Sequence, residues 1–257
     1  KKKKIRINDY MKNFKSNNFI PYGKHTITED DINLVTSVLK NENLTQGRFV
    51  PKFEYSISSK LKSKHAIAVN SATSALHLSC LALGIGRGDI VWTSPISFVA
   101  SANCALYCGG EIDFVDIDPK TGLLDIDCLE TKLKIAKQNN LLPKVVIPVH
   151  LGGSSCDMEK IYNLSLKYGF SIIEDASHAI GGKYQGAPVG NCKYSTISVF
   201  SFHPVKIITT GEGGLITTND NKLAEKLKIL RSHGIIKDSD QFKNNNKGSW
   251  WYEQHHL

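Results

Sequence analysis

Residues 65–84 read HAIAVNSATSALHLSCLALG, and this stretch sets the pattern for the whole chain. His65 to Val69 is a short apolar run with β-branched residues, as in a buried strand, and predicts a strand over 65–70. Asn70-Ser-Ala-Thr-Ser-Ala75 then changes to small and hydroxyl-bearing residues. That composition suits a turn and a helix start. A helix is expected over 73–83, stopped by Gly84.

The same unit repeats outward. Strand 89–94 leads into helix 98–107, closed by Gly109-Gly110. Strand 111–117 precedes a helix at about 127–137, and strand 144–150 leads into helix 157–168, closed by Gly169. Strand 170–174, strands 196–202 and 214–218, and helix 222–233 complete the series. Upstream, Thr28-Glu-Asp-Asp31 reads as a capping box opening a helix with Ile32, Val35 and Leu39 on one face. A polar, glycine-containing loop over 41–48 follows it. Alternating strands and amphipathic helices imply an α/β fold, with a mostly parallel sheet and helices on both faces. In such sheets ligands bind beyond the carboxyl ends of the strands.

Residues 1–25 read as a polar leader or arm, 26–237 as one large domain, and 238–257 as the start of an incomplete C-terminal region. The chain begins at lysine and ends near Trp250, Trp251 and Tyr252, aromatics unusual on the surface of a finished domain. It is therefore expected to be a fragment lacking its C-terminal part.

The chain has 257 residues, 41% of them hydrophobic, with a formal charge of +8. No apolar run approaches the roughly 18 residues that cross a bilayer, and no apolar stretch follows Lys1 to Lys4 as in a signal peptide. A cytoplasmic protein without membrane association is expected. No aromatic-basic interleaving accompanies the positive charge, which argues against nucleic acid and for an anionic phosphate-bearing ligand. Six cysteines are scattered without a CxxC pair, so neither a disulfide framework nor a zinc site is expected.

Four clusters follow strands. Asn70 to Ala75 could cradle a phosphate through free backbone N–H groups and hydroxyls, or Ser71 or Thr73 could be a plain N-cap. Ser94-Pro-Ile-Ser-Phe98 offers an aromatic that could stack on a flat ring, or Phe98 could be core. Ile172-Ile-Glu-Asp-Ala-Ser-His178 puts Asp175 at a strand end, fit to hydrogen-bond a protonated pyridine nitrogen, with His178 able to donate to a ring oxygen. The alternative is an aspartate helix cap and a surface histidine. Ser201-Phe-His-Pro-Val-Lys-Ile-Ile-Thr-Thr-Gly-Glu-Gly-Gly214 sets Lys206 among Val205, Ile207 and Ile208. Burial there would lower its pKa and free the amine for a Schiff base. The Gly211-Glu-Gly-Gly214 turn would let the backbone pass close to a bulky ligand.

These clusters, in this order, resemble the DegT/DnrJ/StrS family of sugar aminotransferases, from about Ile20 to the C-terminus. The motifs are Asn43-Leu-Thr-Gln-Gly47, NSATSAL, EDASHA, and SFHPVK followed by TTGEGG. The resemblance implies the large domain of a fold type I pyridoxal-phosphate-dependent transferase, with pyridoxal 5'-phosphate as cofactor and no metal. It implies that Lys206 holds the cofactor covalently and later carries a proton, that Asp175 partners the pyridine nitrogen and that His178 lies near the phenolic oxygen. It further implies that Phe98 stacks and that Ala72, Thr73 and Ser201 contact the phosphate. Glutamate would be the amino donor and a nucleotide-linked keto-sugar the acceptor, in a homodimer when complete. The wording SFHPVK and ALYCGGEIDFVDIDPKTG is most similar to the members that aminate a UDP-linked 4-ketone in pseudaminic acid biosynthesis. The family's later Asn-Tyr-Arg segment and small C-terminal domain do not occur in the sequence.

Rival readings are an aminotransferase on another nucleotide keto-sugar and a truncated chain that binds cofactor without turnover. Family members with dehydratase chemistry carry histidine in place of the lysine, which Lys206 opposes. A metal-dependent enzyme using His150, Asp175, His178 and His203 would need a ligand spacing that these residues lack.

Overall fold

The computed structural model describes residues 21, 23–45, 47–236, 242–243 and 251–254. The leader over 1–20, Gln46 of the Asn43–Gly47 motif, and Trp250 with most of the 238–257 region lie outside the described residues.

Helix α1 (Glu29–Asn41) starts as its sequence suggests. Thr28 caps it, its hydroxyl accepting from the Asp31 N–H, and the Asp31 carboxylate accepts from the Thr28 N–H at 2.8 Å. No residue of α1 is buried, so Ile32, Val35 and Leu39 form an apolar stripe open to solvent. Helix α2 (Phe49–Leu61) has no counterpart in the strand–helix alternation. Its Pro51 lies in the first turn, where the missing N–H costs nothing.

A seven-stranded sheet follows. It comprises β1 (His65–Val69), β2 (Ile90–Thr93), β3 (Glu111–Phe114), β4 (Val145–Ile147), β5 (Ser171–Asp175), β8 (Ile197–Ser201) and β9 (Gly214–Thr218), in the order β1-β9-β8-β5-β4-β2-β3. Pairs β2–β3, β2–β4, β4–β5 and β5–β8 are parallel, whereas β9 is antiparallel to both β8 and β1. No helix separates β8 from β9, whereas the parallel pairs β2–β3, β2–β4 and β4–β5 are joined through helices, the usual form of a parallel crossover. Two short hairpin strands, β6 (Lys183–Tyr184) and β7 (Ala187–Pro188), lie between β5 and β8.

Helices α3 (Ala72–Ala82), α4 (Ala100–Tyr107) and α7 (Asn221–Arg231) cover one face, over Ile67, Val91, Ile147, Ile173 and Val199. Helices α5 (Ile126–Gln138) and α6 (Met158–Tyr168) cover the other, over Trp92, Val146 and Ile172. Each fully buried aliphatic there contributes about 1.5–3 kcal/mol by leaving water. Helix α2 extends the second face over Phe200 and Leu215. It also guards the outer edge of β1. Glu54 accepts the Ala68 N–H at 2.8 Å, while Arg231, paired with Glu54, donates to the Ala68 carbonyl at 3.2 Å. An open strand edge is thereby capped by side chains.

Candidate active site

Ser71 caps α3, its hydroxyl accepting from the Ser74 N–H at 3.1 Å. This satisfies the cap, and the N–H groups of Ala72 and Thr73 in the first turn have no acceptor within the helix. Ser71 is thus the N-cap, and the Ala72 and Thr73 N–H groups are left free of helix partners, as an anion site would require.

Gly214, the first residue of β9, lies directly against this helix start. A Cβ there would meet the Ser71 carbonyl at 2.4 Å and the Ala72 nitrogen at 2.6 Å. Gly214 also pairs in register with Ser201, the buried last residue of β8. One bare glycine thus brings Ser201 beside the Ala72–Thr73 donors. The glycine turn serves the chain's own packing. Gly213 clears the Thr210 side chain and Gly214 clears the Ser71–Ala72 backbone.

Asp175 ends β5 and is 5% exposed. Ser101 Oγ donates to its Oδ2 at 2.6 Å, and the Ser177 N–H donates to Oδ1 at 3.2 Å. Ser97 Oγ lies 2.6 Å from Ser101 Oγ. The next carboxylate along the strand turns to the opposite face. Glu174 is gripped there by His150 Nε2 at 2.8 Å and by the hydroxyls of Ser198 at 2.7 Å and Ser195. Burial alone would raise the Glu174 pKa, but the hydrogen bond and charge of His150, with hydrogen bonds from Ser195 and Ser198, outweigh it and hold the carboxyl below 4.5. Burial works against a charge on His150, while Cys156 and Glu174 pull the ring toward protonation. The Cys156 N–H points at Nδ1 at 3.2 Å, and the contacts with Cys156 and Glu174 outweigh burial and raise the ring's pKa to about 10.

His178 is half-buried, and its Nδ1 accepts from the Gly152 N–H at 3.3 Å, which leaves the proton on Nε2. Burial, then the nearby Lys206 charge, lower its pKa below 6.5 against the pull of Asp175. His178 is thus a neutral donor at physiological pH. Lys206 is half-buried within the β8–β9 connection, where Phe202 N–H donates to the Gly213 carbonyl at 2.9 Å and Thr210 N–H to the Phe202 carbonyl at 3.1 Å. Burial lowers its pKa below 10.5, opposed by Asp175. The expected cause needs correction. Val205, Ile207 and Ile208 are themselves exposed, so they do not form a buried apolar pocket around the lysine.

Phe98 is 70% exposed, which excludes a place in the core. Its carbonyl accepts the Ser101 N–H at 3.1 Å, tying it to the residue that holds Asp175. The structure therefore brings Ala72, Thr73 and Ser201 together, and Asp175, His178 and Lys206 together, at the carboxyl edge of the sheet. His150 reaches the opposite face, and His203 faces Glu212 at 3.8 Å, so the four residues of the metal reading do not converge. Among the described residues no group of three or more histidine, cysteine or acidic side chains could hold a metal ion. Sequence reasoning missed Ser97 and Ser101, although their spacing of four beside Phe98 offered a signal. It also missed Gly152, whose role depends on contact with a residue 26 positions away.

Residues 25–250 match the DegT/DnrJ/EryC1/StrS aminotransferase family. The chain belongs to that family. Within it, the chain is 44% identical over 228 residues to a UDP-4-amino-4,6-dideoxy-N-acetyl-beta-L-altrosamine transaminase of Campylobacter jejuni, covering 87% of this chain and 59% of the relative. It is 39% identical over 240 residues to the spore coat polysaccharide biosynthesis protein SpsC of Bacillus subtilis, covering 93% and 59%. Helicobacter pylori PseC, an aminotransferase involved in pseudaminic acid biosynthesis, superimposes with a TM-score of 0.79 at 37% identity, over 88% of this chain and 59% of PseC. The chain thus spans about 59% of the length of these relatives. The fold is the α/β fold of these pyridoxal-phosphate aminotransferases, with the mostly parallel sheet expected.

A solved relative, Spr1654 of Streptococcus pneumoniae, is known in a pyridoxal-phosphate form, and the residues present here fit that cofactor. The Gly214 cradle presents N–H and hydroxyl donors of a size and charge preference suited to a phosphate. A buried carboxylate with two fixed donors and a half-buried amine of lowered pKa suit the ring nitrogen and the aldehyde.

Proposed function

We propose that this chain, in the domain spanning 26–237, is the cofactor-holding part of a sugar aminotransferase. It would move an amino group from glutamate to a UDP-linked 4-keto-sugar, giving UDP-4-amino-4,6-dideoxy-N-acetyl-beta-L-altrosamine. The observation that carries this reading is Lys206, a half-buried amine of lowered pKa beside the strand-end carboxylate of Asp175. The similarity to the Campylobacter enzyme supports the choice of sugar.

When bound, pyridoxal phosphate supplies the electron sink and stores the amino group between the two half-reactions. Ala72, Thr73 and Ser201 bind its phosphate. Asp175 accepts the ring N–H and keeps that proton in place through charge. His178 donates from Nε2 toward the ring oxygen. Phe98 covers one ring face. Lys206 Nζ would hold the cofactor's aldehyde carbon covalently, with loss of water, and once displaced its free amine would serve as the base that takes up and gives back the proton at the reacting carbons.

Exposed apolar side chains gather near this mouth, among them Phe98, Val99, Ile207 and Ile208. Large exposed apolar groups of this kind suit a protein interface, which supports a homodimer. No helix among the described residues is long and apolar enough to cross a membrane, and the reading places the protein in the cytoplasm, where nucleotide sugars and glutamate meet.

The test is to add pyridoxal phosphate, reduce with borohydride and map the adduct, then offer glutamate and a panel of nucleotide keto-sugars. A reduced adduct at Lys206 and amination of the UDP-linked 4-ketone are expected. An adduct elsewhere would sink the site assignment. Amination of another ketone with the UDP-linked 4-ketone untouched would sink the substrate.

A further inference from the structure

Three hydroxyl and carboxyl groups form a one-way chain at the centre of the site. An ionised carboxylate only accepts, so the 2.6 Å contact between Ser101 Oγ and Asp175 Oδ2 uses the single proton of Ser101. The 2.6 Å contact between Ser97 Oγ and Ser101 Oγ must then be donated by Ser97. Ser101 is 1% exposed, so water does not compete for this bond, whereas Ser97 is half-buried at the mouth. Ser177 N–H holds the other carboxylate oxygen at 3.2 Å. Asp175 is fixed from both sides, by a side chain of α4 and by the backbone of the turn after β5.

We propose that Ser97 and Ser101 are positioning residues. Their hydroxyl relay fixes the rotamer of Asp175 and polarises its Oδ2, which sets how tightly the site holds a pyridinium-bearing ligand. The relay acts through Asp175 and touches no reacting atom. Ser97 contributes only by sharpening the donation of Ser101, since hydrogen bonds in a chain polarise one another. The inference rests on the proposed function and adds to it a determinant that neither the strand-end motif nor the lysine motif contains.

The test is equilibrium uptake of pyridoxal phosphate by this chain, read by absorbance, with inorganic phosphate as competitor. Ser101→Ala is expected to weaken uptake about tenfold, the effect of one hydrogen bond to a charged group. Ser101→Thr restores it, and Ser97→Ala weakens it about two- to threefold. In the Ser101→Ala background, Ser97→Ala adds nothing. The competition constant for inorganic phosphate, which occupies the cradle without meeting Asp175, stays within about twofold. Unchanged uptake in Ser101→Ala, or additive effects of the two substitutions, would overturn the relay. So would a parallel loss of phosphate competition, which marks a merely structural role. Failure of Ser97→Ala, at its half-buried position, to change uptake would overturn it even if Ser101→Ala does not fold. No uptake by the wild-type chain would remove the proposed function and this inference with it.

Discussion

The main-chain N–H of His150 donates to the carbonyl of Asp175 at 3.0 Å, so the residue gripping Glu174 from one face also fixes the backbone that aims Asp175 at the other. Adjacent carboxylates on one strand thus have opposite roles. Glu174 is sealed among donors in the far layer, and Asp175 faces the site. Stability and ligand geometry are coupled through two consecutive residues of β5.

His150→Leu is expected to destabilise the protein by about 2–3 kcal/mol, because the buried Glu174 carboxylate loses a donor. His150→Gln, which can still donate, should cost less. Urea or guanidinium unfolding measures both. Because the folded Glu174 pKa lies below 4.5, its contribution is present above about that pH and is lost as pH falls through the folded value. Stability of the wild type should therefore decline more steeply below pH 4.5 than that of Glu174→Gln.

Lys206→Ala should abolish the borohydride-stable adduct while changing stability by less than about 1 kcal/mol, since the side chain is only half-buried. Mass spectrometry and thermal melts separate the two effects. Folding disfavours the Lys206 ammonium, so the free amine is more abundant at a given pH than in an ordinary lysine. Adduct formation should rise with pH through a midpoint below 10.5, and this residue should oppose folding less as pH increases.

Asp175→Asn replaces a charge-assisted partner with a neutral amide. A fall in turnover of about 10²–10³-fold is expected, in line with removing one group aimed at transition-state charge. Single-turnover rates of the glutamate half-reaction would reveal it. A variant within threefold of wild type would show that the carboxylate charge is not used.

Gly214→Ala drives a methyl group into the Ser71–Ala72 backbone and should cost about 1–3 kcal/mol with loss of cofactor phosphate affinity. Gly86→Ala is the control, because a Cβ there meets nothing within 4 Å. Its stability should stay within about 0.5 kcal/mol of wild type in parallel unfolding curves.

Much of this protein was legible along the chain. Alternation of apolar strands and amphipathic helices, with glycine stops, gave nearly every element of the sheet and its parallel character. The capping box at Thr28 and the strand-end position of Asp175 depend on residues within a few positions of one another, so local chemistry sufficed. Helix 49–61 escaped notice because its formation rests on packing against Phe200 and Leu215 and on guarding the β1 edge.

What the sequence determined alone was the order of strands and helices, the residues at the strand ends and the resemblance they carry. Tertiary structure decided how those residues meet. It set Ser101 on Asp175 across 74 positions, Gly214 against the start of α3, and Lys206 in partial burial while its apolar neighbours face solvent. The physical reason is range. Propensity and capping act over a turn or two of chain, whereas hydrogen bonding to a buried carboxylate and close backbone approach exist only once the sheet has brought distant segments together.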